Sequence, residues 1–156
     1  MKYVKLLLLL LAIFLLQMAV VPNLSIKTAY PNLLFIGMLL FSLNFRFTEA
    51  LVWGAISGLL FDIFSPFHFG IFTASFLALA IILRLVIKKF ISEPILPIIV
   101  GLFFIGGLLF DLPIFLISGK NLALYFYVNL YNTIVGVILY YLLGDSLKIK
   151  ESIYKL

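Results

Sequence analysis

Six apolar runs, each closed by a cluster of turn-forming or charged residues, organise this chain from end to end. The first, 4–21, follows Lys2 and Lys5 and stops at Pro22-Asn23, where proline cannot continue a helix. A basic start resembles a signal peptide, yet the apolar body is long and no small-x-small cleavage pattern follows, so a retained first helix is expected. The polar stretch Asn23–Ala29 leads to Tyr30-Pro31-Asn32, and proline in a first helical turn predicts a second span over 31–45. Arg46, Thr48 and Glu49 make a tight polar turn, the third span covers 50–64, and Ser65-Pro66-Phe67-His68-Phe69-Gly70 breaks it. The fourth occupies 71–87 and closes on Arg84, Lys88 and Lys89. Glu93-Pro94 opens the fifth, 95–117, whose Asp111 and Pro113 predict a kink or an early end. Beyond Ser118-Gly119-Lys120-Asn121 the sixth runs over 122–143, and Gly144-Asp145 releases a tail, 144–156, expected to be a surface helix or disordered.

A helix that crosses a bilayer needs about 20 residues, so six spans with short links fill a chain of 156. The predicted fold is all-α: one polytopic transmembrane domain over 1–156 with about six helices. Composition excludes the water-soluble alternative. Hydrophobic residues make up 65% and charged residues 11%, against about 25% charged in globular domains, and mean hydropathy is +1.30. So few charges cannot furnish a polar exterior, and lipid must be the solvent for most of the surface.

Net charge is +5, but the basic residues sit between apolar runs rather than on one exposed face, so orientation in the membrane explains them better than nucleic acid does. Alternating the loops across a bilayer gathers Lys2, Lys5, Arg46, Arg84, Lys88, Lys89, Lys148, Lys150 and Lys155 on one side, leaving Lys27 and Lys120 opposite. Both termini and the tail are therefore expected to be cytoplasmic, with outer loops at 23–29, 65–70 and 118–121. Cysteine is absent, which removes disulfides, thiol catalysis and thiolate metal sites.

Polar residues inside the spans carry whatever chemistry the chain has. The third and fifth runs share a pentapeptide, Gly58-Leu-Leu-Phe-Asp62 and Gly107-Leu-Leu-Phe-Asp111, a faint internal repeat that common Leu and Phe could also produce by chance. An intramembrane carboxylate costs about 2.5–3.5 kcal/mol even on lenient insertion scales, so each aspartate should face the bundle interior or a hydrated cavity. Span entry near Ala50 and Ile95 places both at similar depth in the outer half. Lys27, His68 or Lys120 could stand close enough to act on them. Gly54, Gly58 and Asp62 recur every four residues on one helix face, where small residues permit close approach and one polar group can bond across the contact. Packing or partner docking suits these positions better than proton or substrate chemistry. Asn129 and Asn132 can bond across the bundle from the sixth span, while Tyr125, Tyr127, Tyr131, Tyr140 and Tyr141 suit belts at its two ends.

Catalytic patterns are missing. The aspartates lack the Gly-x-Gly-Asp setting of intramembrane aspartyl proteases, and His68 has no second histidine or adjacent acid for a metal. No phosphate loop, nucleophile elbow or cofactor motif occurs.

Pro31-Asn32-Leu33-Leu34 followed by Gly54-x-x-x-Gly58-x-x-x-Asp62-x-x-Ser65-Pro66 and Gly70 resembles the rod shape-determining membrane protein MreD family. Specific likeness is confined to 31–70, with size and approximate span count agreeing over the rest. The resemblance implies a non-catalytic component of the bacterial elongasome in the inner membrane, supporting peptidoglycan synthesis and cell shape without a cofactor. It implies binding to MreC and, through it, links to MreB, RodA and its transpeptidase. Gly54, Gly58, Asp62, Ser65, Pro66 and Gly70 would shape the partner-positioning face, and small-residue faces are equally compatible with a homodimer. Nothing carries over to Asp111 or the Tyr-rich sixth span. The family is thought similar in fold to the substrate-binding S-component of energy-coupling-factor vitamin transporters, and such a subunit is the alternative function, with outer-half aspartates lining a pocket for a cationic vitamin or a metal-linked ligand.

Overall fold

Between successive apolar runs the chain turns back on itself in the computed structural model, which describes residues 2–147 except 27, 67–68, 92–93 and 120. Six helices result: α1 (Lys2–Ala19), α2 (Leu33–Leu43), α3 (Phe47–Phe64), α4 (Ile71–Phe90), α5 (Leu96–Ser118) and α6 (Leu122–Leu147). A short 3-10 turn, Val21–Leu24, follows α1, and no strand forms among the described residues. The fold is all-helical, with α3, α4, α5 and α6 long and apolar enough to cross a membrane.

The two remaining helices are shorter. α1 is close to the length of a span, but α2 has 11 residues, a rise of about 16 Å, half of the roughly 30 Å hydrocarbon core. Tyr30 to Asn32 are not helical and Asn32 is extended, so the helix starts two residues later than the expected 31, after Pro31-Asn32. Asn32 caps the helix it precedes, its Oδ1 accepting from Phe35 N at 3.0 Å. Nine of the α2 residues are buried, and α2 touches every other helix. A helix apolar on all sides belongs at the centre of a bundle, and α2 takes that place.

Neither an early end of the fifth helix nor a release at Gly144-Asp145 occurs. α5 continues through Pro113 to Ser118, since the residues on either side are strongly apolar and the bundle supports them. α6 runs past Gly144 and Asp145 to Leu147, because one glycine costs only about 1 kcal/mol in a helix otherwise rich in good formers. The remainder of the tail, with Lys148, Lys150 and Lys155, lies outside the described residues.

Aromatic rings form a column through the core. Phe61 of α3 stacks on Phe76 of α4 at 6.2 Å, Phe76 meets Phe110 of α5 edge-on at 4.6 Å, and Phe110 lies 5.3 Å from Phe35 of α2. Such pairs each add about 0.5–1.5 kcal/mol beyond area burial. The described basic side chains of Lys5, Arg46, Arg84, Lys88 and Lys89 fall at the end of the bundle holding the α2–α3 turn and the end of α4. There Arg46 pairs with Glu49 at 3.2 Å and lies over the Phe41 ring at 4.9 Å.

Candidate functional site

The repeat every four residues on α3 becomes a crossing with α4. At Gly58 the backbones approach so closely that an added Cβ would lie 2.5 Å from Thr73 Cα and 2.8 Å from Thr73 N. Any side chain there forces the helices apart. One turn earlier, a Cβ on Gly54 would meet Met38 Sδ at 3.2 Å and Phe76 Cβ at 3.6 Å, a tight but ordinary fit. One turn later stands Asp62, 3% exposed. Its Oδ1 accepts from Phe72 N at 2.9 Å, and its Oδ2 accepts from Thr73 N at 3.0 Å and from Thr73 Oγ1 at 2.5 Å.

Phe72 and Thr73 are the second and third residues of α4, whose amides a preceding Ser, Asp or Asn would ordinarily cap. The residue in that capping place is Gly70, at φ 100°, ψ −13°, with no side chain to offer. Only glycine adopts that backbone at little cost. Asp62 thus caps α4 from the neighbouring helix, and the partial positive charge of the helix start balances the carboxylate. The two small residues, the aspartate and Gly70 form one device. Ser65 ends α3 in an extended conformation and begins the turn between the two helices. Gly58 and Asp62 of the face expected to position a partner are therefore covered by α4 of the same chain, while Pro66 is exposed. Phe67 and His68, in the same turn, lie outside the described residues.

The second pentapeptide repeats the arrangement with different atoms. Gly107 leaves room for the amide of Asn129 on α6, which a Cβ would strike, and Asn129 Nδ2 reaches Asp111 Oδ2 at 3.5 Å while donating to Tyr125 O at 2.8 Å. In both copies glycine admits the following helix and aspartate bonds to it. The copies then diverge: Asp62 is closed off by its three donors, whereas Asp111 is only partly buried and lines a cavity of about 370 Å³.

That cavity lies at the end of the bundle where α1, α3 and α5 finish and α2, α4 and α6 begin, opposite the basic end. Phe61, Phe72, Phe110, Phe115 and Tyr125 supply ring walls, and Ser65 and Pro66 lie at its edge. Gln17 and Asn32 contribute polar groups. Gln17, 3% exposed, donates to Pro31 O at 3.1 Å and accepts from Leu33 N at 2.8 Å. Asn132 Oδ1 accepts from Asn32 N at 2.6 Å, tying α6 to the start of α2. Thr28, also on the lining, holds φ 67°, an outlier for a β-branched residue.

Tyr125 and Tyr140 are not belt residues. Tyr125 donates to Leu108 O of α5 and stacks near Phe115 at 4.8 Å, while Tyr140 is buried. Tyr127 and Tyr141 are exposed, and Tyr131 donates to Leu24 O at 3.1 Å. Gln17 and Tyr125 went unnoticed as site residues in the sequence. For Gln17 the signal was present, as the only polar side chain between Leu6 and Val21. Lys27 and Lys120, the expected outer cations, lie outside the described residues, and those described hold no cluster of three potential metal ligands. No protein-family model, no curated protein and no solved structure matches the chain.

Proposed function

We propose that the chain is a non-catalytic docking subunit of the bacterial cell-elongation machinery, an inner-membrane protein with its termini in the cytoplasm that binds MreC and is linked through it to MreB, RodA and the transpeptidase. The supporting observation is that Gly54, Gly58, Asp62 and Gly70, within the 31–70 stretch carrying the MreD resemblance, serve the α3–α4 crossing. A close-packed crossing of this kind suits a protein that works by presenting helix surfaces. Links between consecutive helices are short, the longest being 20–32, which leaves little extramembrane mass for chemistry. The described basic residues at the end opposite the cavity support this orientation. Likeness to the S-component fold belongs to the same proposal.

Affinity purification of the full chain in mild detergent, with partners identified by mass, tests this reading. MreC is the expected partner. Recovery of energy-coupling ATPase subunits in its place would favour the transporter-subunit reading, for which the cavity is the supporting observation.

A further inference from the structure

Orientation in a membrane needs only that basic residues gather on one side; it does not need them to share a groove. Arg84, Lys88 and Lys89 of α4 do share one, an open groove of about 740 Å³ completed by Leu51 of α3 and by Ile81 and Leu85 of α4. It lies between the two helices, towards the end away from the Gly58–Thr73 contact. Positions 81, 84, 85 and 88 follow the three- and four-residue spacing that puts side chains on one helix face. Polarity along the groove is graded. At a rise of about 1.5 Å per residue, Lys88 and Lys89 lie within about 3 Å of the α4 end at Phe90, Arg84 about 9 Å inward of it and Ile81 about 14 Å. Leu85 and Ile81, 65% and 51% exposed, cover nothing within the bundle and stay open to lipid, and Arg84 can lay its apolar stem over them while its guanidinium turns to the headgroup level. Lys89 Nζ lies over the exposed Phe90 ring at 5.2 Å. No acidic residue is among the described ones that line the groove. A soluble anion would use the cations and leave the apolar floor bare, and an acidic peptide confined to water would not follow that floor inward. Three cations are few for a nucleic acid, whose binders commonly make about 6–10 phosphate contacts. An anionic lipid carries a charge and then apolar chains in this same order, and basic pockets between helices suit such headgroups.

We propose that this groove is a binding site for one anionic phospholipid, its phosphate held by Arg84 and Lys88 with Lys89 beside them, and an acyl chain lying along Leu85, Ile81 and Leu51. The charge and the apolar floor come from the two helices whose crossing Gly58 and Asp62 set. The site stands apart from the docking proposal, so failure to recover MreC leaves it intact, and loss of lipid selectivity leaves the docking proposal intact.

The test uses the full chain in mild detergent and native mass spectrometry, which reads the fraction of protein carrying one lipid against the concentration of dioleoyl phosphatidylglycerol or dioleoyl phosphatidylcholine. Phosphatidylglycerol is expected to saturate a single site and to bind at least about tenfold more tightly than phosphatidylcholine, or about 1.4 kcal/mol. Arg84→Gln with Lys88→Gln should abolish most of that preference. Lys2→Gln with Lys5→Gln removes the same charge from α1, which makes no packing contact with α4, and should leave the preference nearly unchanged. Excess glycerophosphoglycerol, the same headgroup without chains, should not displace the lipid, nor should inorganic phosphate or a polyglutamate peptide. If the Arg84 and Lys88 double variant does not remain monodisperse, Lys88→Gln with Lys89→Gln, in the exposed last turn of α4, decides the matter by a clear loss of the preference. Equal binding of the two lipids, an equal loss in the α1 variant, an unchanged preference in a folded α4 variant, or displacement by any of the three soluble anions would each overturn the assignment.

Discussion

Replacing Gly58 with alanine is the most direct probe of the α3–α4 crossing. The new methyl would lie 2.5 Å from Thr73 Cα, and ordinary contact begins near 3.4 Å, so the helices must separate locally by about 0.9 Å. Thr73 Cα is backbone and cannot swing aside. Overpacking of this kind typically costs about 1–3 kcal/mol. A shift of that size would also stretch the bonds from Phe72 N and Thr73 N to Asp62, now 2.9 and 3.0 Å, beyond useful length. Hydrogen bonds to a charged group contribute about 1.5–3 kcal/mol each. Even partial loss brings the expected total to about 3–5 kcal/mol, a large share of the 5–15 kcal/mol that usually separates folded from unfolded. The assay is reversible unfolding in mixed micelles followed by Trp53 fluorescence. Asp62→Ala should give a loss of similar size. The double variant should fall well short of the sum, because both changes break one contact. A Gly58→Ala protein within about 0.5 kcal/mol of the parent, or strict additivity with Asp62→Ala, would refute the crossing as described.

Gln17→Leu should destabilise by about 2 kcal/mol or more in the same unfolding assay, since it strands Leu33 N and Pro31 O where water is scarce. At Gly70, alanine must take φ 100°, which costs about 1–2 kcal/mol; removal of Asp62 should not add to that strain, and a neutral Gly70→Ala change would show that the turn relaxes freely. The natural absence of cysteine makes orientation easy to read. A Leu24→Cys protein in intact cells should react with an impermeant maleimide and a Lys89→Cys protein only after permeabilisation, whereas the reverse pattern would invert the proposed topology.

Helix boundaries were largely legible because apolar runs become helices, and Pro-Asn, Ser-Pro and Ser-Gly breaks end them. Gly54, Gly58 and Asp62 could be placed on one face of α3 from periodicity alone, since a helix fixes which residues share a side. What that face met could not be read, for packing in a nearly uniform apolar chain is decided by shape, and Leu or Phe at one position carries little information about its neighbour. Only the folded bundle shows that α4 covers Gly58 and Asp62, that Asp62 caps α4 in place of a residue at Gly70, and that α2 is a short helix of 11 residues at the centre. Identical pentapeptides likewise gave no hint that Asp62 would be enclosed and Asp111 would face a cavity. Part of the difference comes from the following helix, which brings backbone amides and Thr73 to one aspartate and the amide of Asn129 to the other. Local sequence sets which groups a helix carries; the neighbours that satisfy or expose them are set by the tertiary crossing.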